Sequence, residues 1–152
     1  MSVRLRNESI QDKWGELGLE HFKDDKTIYM PVNDMWTGKE NLLTVKYSQS
    51  YPFRPPVIIY NGQNILTFYG EMHGCSNLKI KDDVMKFLGG VECACCSSLV
   101  CSNNWTVRNS IKNTLTEFNK FCQFKIRSIE RYWSDRICSR LLVEDIPLRD
   151  YL

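Results

Sequence analysis

Charge of one sign is scarce in this chain: 20 Lys and Arg stand against 18 Asp and Glu, a formal net charge of only +2. No global field therefore draws it to nucleic acid, a membrane surface or an acidic substrate, and partners have to be argued from local features. Long hydrophobic runs are missing too. No stretch approaches the roughly 18 apolar residues of a membrane span, and the opening Met1-Ser2-Val3-Arg4-Leu5-Arg6 enters charged residues without an apolar leader core. Histidine is limited to His21 and His73, neither in a nucleophile or base motif, which argues against a Cys-His hydrolase. The spaced cysteine framework of a secreted disulfide scaffold is absent as well, since the seven cysteines are odd in number and Cys95 and Cys96 are adjacent. A reducing compartment, cytoplasm or nucleus, is the expectation. No internal repeat or low-complexity tract is visible.

What is present fits one domain over residues 1–152 with a single core, since 43% of the chain is hydrophobic. Leu5, Ile10, Trp14 and Leu17 recur at loosely helical spacing and predict a short N-terminal helix, closed by Gly15 and Gly18. The pattern then turns to strand: Thr27–Met30, Leu42–Tyr47 and Val57–Tyr60 are rich in β-branched and aromatic residues, and short polar links between them predict an antiparallel meander. Asn61-Gly62 is a turn signal, and Ile65–Tyr69, ended by Gly70, reads as a fourth strand. Residues 71–90 read as an extended loop. Beyond Trp105, Val107, Ile111, Leu115, Phe118, Cys122, Ile126, Ile129 and Trp133 recur at steps of three or four, predicting helix from Val107 to Leu141 with a break near Ser134-Asp135. The fold class expected is α+β. The cations Lys120, Lys125, Arg127, Arg131, Arg136 and Arg140 alternate with Glu117, Glu130 and Asp135 and read as a solvated face.

The densest chemical signal is Gly89-Gly90-Val91-Glu92-Cys93-Ala94-Cys95-Cys96-Ser97-Ser98-Leu99-Val100-Cys101. A thiolate near a helix start or a cation has a lowered pKa and becomes a usable nucleophile, so one of these cysteines could carry a thioester. A free cysteine also packs as a small apolar residue, which is the plainer reading of any one of them. A zinc-stabilised interaction domain is a second alternative, with His73, Cys75, Cys93, Cys95, Cys96 and Cys101 as possible ligands. The spacing of His73-Gly74-Cys75 and Cys93-Ala94-Cys95 is one residue tighter than zinc knuckles use, so neither metal nor cofactor is expected.

The second signal is Tyr51-Pro52-Phe53-Arg54-Pro55-Pro56, set between two predicted strands. Three prolines fix φ near −65° and withhold ladder donors, so this is a rigid crossover and not a floppy linker. The segment resembles the ubiquitin-conjugating enzyme family, in which a strand leads into a Tyr-Pro-Phe-x-Pro-Pro loop and on into a further strand. The resemblance implies an N-terminal helix, a four-stranded antiparallel meander, a long segment bearing the active cysteine, a tryptophan about nine positions later, then central and C-terminal helices; each part has a counterpart here in the same order.

On that resemblance Cys96, nine positions before Trp105, matches the thioester cysteine, and Cys93, which follows Gly90 at the Gly-x-x-Cys spacing, is its rival. The implied activity is acceptance of ubiquitin or a ubiquitin-like modifier from an activating enzyme and its transfer to lysine with a ubiquitin ligase. The family's His-Pro-Asn motif is absent; His73-Gly74-Cys75-Ser76-Asn77 is the nearest segment, with Asn77 as candidate oxyanion donor. Ser97 stands where the family has Leu, and Val107 where Pro often follows the tryptophan. Tyr47, Ser48 and Phe53, with Thr106 and Val107, match the two loops that meet ligases, and Arg4 and Arg6 lie on the helix that meets the activating enzyme. The missing motif leaves an alternative of another class: a catalytically inactive variant of the same fold that binds ubiquitin or a ligase.

Overall fold

A computed structural model of the chain describes residues 2–21, 26–34, 38–73 and 98–139. Ser2 opens the first helix, α1 (Val3–Gln11), by accepting the Leu5 N–H on its hydroxyl at 3.2 Å, which satisfies one of the donors a helix start leaves unpaired. A short turn of helix follows, α2 (Trp14–Leu17), and ends at Gly18, whose φ of +78° is the left-handed cap that glycine adopts without steric cost.

The three central strands of the predicted meander are present. Five strands, β1 (Glu20–His21), β2 (Thr27–Asn33), β3 (Glu40–Lys46), β4 (Val57–Tyr60) and β5 (Gln63–Asn64), lie side by side in chain order, every pair antiparallel. The β2–β3 register runs from Thr27 opposite Lys46 to Asn33 opposite Glu40, and Val45 faces both Ile28 and Ile58. Alternation then sends Leu43, Val45, Ile58 and Tyr60 inward, while Leu42, Lys46 and Val57 face out. Asn61 and Gly62 both take positive φ, +51° and +75°, the geometry a two-residue hairpin between right-twisted strands requires.

Ile65–Tyr69 is helix and not strand. It opens α3 (Ile65–His73), which runs through Gly70. Asn64 decides the matter: its Oδ1 accepts the Leu66 N–H at 2.9 Å, so the residue that ends β5 also caps a helix start. Ile65, Phe68 and Tyr69 are consequently buried together at helical spacing.

The last described element, α4 (Ile111–Ser139), begins later than the periodicity predicts and passes Ser134-Asp135 without a break. Val107 has helical spacing, yet the local chemistry starts the helix at Ser110. The Ser110 N–H donates to Asn113 Oδ1 at 2.8 Å, one half of a capping box, and the Thr114 N–H donates to the Ser110 carbonyl at 3.1 Å as the first helical bond. Of the predicted apolar stripe, Ile111 and Phe118 are buried, Leu115, Cys122 and Ile126 only half-buried; Phe121 and Phe124 are buried completely.

Two groups of side chains fill the interior. Leu5, Trp14, Leu19, Ile28, Val45, Tyr47, Tyr51, Trp105 and Ile111 form one cluster under α1 and the proline loop. The other is aromatic, with Tyr60 against Phe118 (5.1 Å between centroids), Phe68 against Phe121 (5.5 Å) and Tyr69 against Phe124 (4.8 Å). Among the described residues no helix is long and apolar enough to cross a membrane.

Candidate functional site

Glu8 organises one end of the molecule. It lies on α1 yet is only 6% exposed, and a carboxylate taken out of water needs donors. It has them from three places. Tyr51 of the proline loop donates its hydroxyl to both carboxylate oxygens at 2.8 Å, the first amide of α4, Ile111 N–H, donates to Oε2 at 3.1 Å, and Arg4 donates from one turn earlier on α1. The last two also place a negative charge at the positive end of a long helix and a cation beside it. Burial, and then the bond to Glu8, raise the Tyr51 hydroxyl above its ordinary pKa, so it remains a donor.

Arg4 extends the link by donating to the carbonyls of Val107 and Asn109, each at 3.1 Å. Trp105 closes the remaining side: its indole N–H donates to the Pro52 carbonyl at 2.8 Å across the cis Tyr51-Pro52 peptide, and its ring lies 6.1 Å from that of Tyr51. Helix α1, the proline loop and the segment 105–110 are thereby tied together. Phe53 on the loop is 78% exposed, and Val107 on the segment after Trp105 is 46% exposed.

Most of the residues singled out for partner contact are exposed. Phe53, Val107, Thr106 and Ser48 are exposed, and Arg6 is exposed on α1. Tyr47 is different: it is buried, 5.9 Å from Tyr51, and supports the loop from beneath. Arg4 is committed to Glu8 and to two backbone carbonyls. A charge reversal there would break these links, which leaves Arg6 as the clean probe of helix charge. Cys96, Cys93 and Asn77, together with Cys75 and Cys95 of the zinc reading, lie outside the described residues. Cys101 is a half-buried free thiol, and among the described residues no group of three metal-ligating side chains is assembled.

The reading of α4 as a solvated charged face fails at two positions. Glu117 is buried, and Lys125 is 3% exposed with its ammonium 3.0 Å from Oδ2 of Asp34, itself 6% exposed at the end of β2. Tyr60 donates its hydroxyl to the same oxygen at 2.7 Å, and Lys125 sits 5.1 Å from the centre of the Tyr60 ring. The signal was available in the sequence: Lys125 follows Phe118 by seven positions and Phe121 by four, which puts all three on one helix face. Nearby Cys122 has its thiol pushed up to about 11 by burial, so it stays protonated and is a poor nucleophile at neutral pH.

Together these observations define an α+β protein with an antiparallel meander and a cis-proline crossover tied to its first helix and to the segment after Trp105. No family model, no curated protein and no solved structure matches the chain.

Proposed function

We propose that the chain is a divergent ubiquitin-conjugating domain that carries ubiquitin or a ubiquitin-like modifier on Cys96 and docks a ubiquitin ligase on the Phe53–Val107 face. One observation carries the reading. The Tyr51–Pro56 loop and the segment after Trp105, which the sequence resemblance pairs as ligase-contact loops, are tied to each other and to α1 through Glu8, Arg4 and Trp105, with Phe53 and Val107 left exposed. Exposed apolar groups on a rigid support are the arrangement that loses least conformational entropy on binding.

In the proposed chemistry the Cys96 thiolate attacks the thioester carbonyl held by an activating enzyme. A new S–C bond forms, and the activating enzyme's cysteine leaves as the thiolate. A lysine amine then attacks the Cys96 thioester, the C–N bond forms, Cys96 departs, and the amine's proton passes to the sulfur or to solvent. Asn77 is the proposed donor to the oxyanion of each step.

The test is a charging assay with an activating enzyme, modifier and ATP, read on a non-reducing gel. Wild type should give a thiol-sensitive adduct that Cys96→Ser loses or converts into a thiol-resistant ester. Loss only in Cys93→Ser would move the nucleophile. No adduct at all, beside a competent control, would leave a ligase- or modifier-binding domain without catalysis. In the same preparations Phe53→Ala should leave stability within about 0.5 kcal/mol, because its side chain is exposed, and weaken ligase-stimulated discharge by about tenfold. Unchanged discharge would sink the docking assignment.

A further inference from the structure

The buried Lys125–Asp34 pair lines a cavity that the proposed docking face does not use. It lies between the end of β2 and α4 and measures about 270 Å³. Val32, Phe118 and Ile126 make its walls apolar, whereas the exposed Asn119 and Gln123 line its solvent side. Tyr60, Asp34 and Lys125 supply the buried polar groups.

We propose that this cavity binds a small uncharged molecule with an apolar body and a carbonyl or carboxamide head, the head accepting a hydrogen bond from Lys125. An ammonium carries three donors. Among the described residues Lys125 makes one hydrogen bond, to Asp34, and one ring contact, to Tyr60, so a donor remains for a ligand at the cavity wall. Asp34 meanwhile cancels the charge. A ligand carboxylate would meet the Asp34 carboxylate and a ligand cation would meet Lys125, each in surroundings that screen poorly, so a neutral acceptor fits both groups best. A methionine and a leucine of similar volume would hold this part of the core without the desolvation cost of two buried ions, and the pair's presence beside open space points to a task at that space. At roughly 30 Å³ per water the volume corresponds to about nine waters, enough for a ligand of about ten non-hydrogen atoms.

Benzamide is the probe, titrated into the full chain while the methyl signals of Val32 and Ile126 are followed by NMR. Saturable shifts with a dissociation constant of about 1 mM are expected. Benzoate, benzylammonium and toluene should each bind at least about tenfold more weakly. Asn119→Trp, a change at an exposed position that blocks the mouth and leaves the fold intact, should abolish the shifts. The paired change Asp34→Asn with Lys125→Met should reduce benzamide to the level of toluene. Equal binding of toluene and benzamide to wild type would overturn the role of Lys125; the absence of saturable shifts with benzamide, or their persistence in Asn119→Trp, would overturn the site.

Discussion

Replacing Glu8 with alanine should lower the free energy of unfolding by about 3–5 kcal/mol, the cost typical of removing one partner from a buried charged network. The size follows from what is left behind. Without the carboxylate, the Tyr51 hydroxyl and the Ile111 amide keep their burial and lose their acceptor, and each such orphan costs about 1–3 kcal/mol. Arg4 loses its ion-pair partner in the same stroke and retains only the carbonyls of Val107 and Asn109. Glu8→Gln is the informative companion, because an amide oxygen can still accept from Tyr51 or from Ile111 while the charge is gone; a loss of about 1–2 kcal/mol is expected. Urea unfolding followed by tryptophan fluorescence measures both, since Trp14 and Trp105 report from the cluster that Glu8 borders. A change below about 1 kcal/mol in Glu8→Ala would mean that the three segments are held by apolar packing alone. On the proposed docking role there is a directional corollary: Glu8→Ala should also weaken ligase binding, even though neither Phe53 nor Val107 has changed.

The second large effect is expected at the buried pair on α4. Lys125→Met by itself should cost about 3–5 kcal/mol, because the buried Asp34 carboxylate then loses the ammonium 3.0 Å from it. Adding Asp34→Asn should recover most of the loss and bring the double variant within about 1–2 kcal/mol of wild type, since neither buried charge remains and the amide oxygen still accepts from the Tyr60 hydroxyl. The sign of that recovery is the test. If the double variant is as unstable as the sum of the two single changes, the two side chains act independently and the 3.0 Å contact contributes nothing to their coupling.

Much of the path of the backbone was legible because it rests on short-range chemistry. The Asn61-Gly62 hairpin follows from two residues that tolerate positive φ, and the three central strands follow from short runs rich in β-branched and aromatic residues. Ile65–Tyr69 was misread for an equally local reason. A five-residue run of apolar, β-branched and aromatic residues satisfies both periods, and only the side chain of Asn64 separates them by capping a helix. The start of α4 shows the same thing, since Ser110 and Asn113 outweigh the apolar spacing that Val107 extends.

By itself the sequence determined the α+β class, the three central strands and the proline crossover between two of them, because each depends on intervals of a few residues and on fixed backbone preferences. Only the tertiary structure decided what Glu8, Arg4, Lys125 and Asp34 do. Their partners lie far away along the chain, 91 positions for Lys125 and Asp34 and 103 for Glu8 and Ile111. A carboxylate or an ammonium on a helix looks the same in a sequence whether it faces water or a buried partner. Its role is set by the loss of solvent around it, and that loss comes into being only when distant segments close over one another.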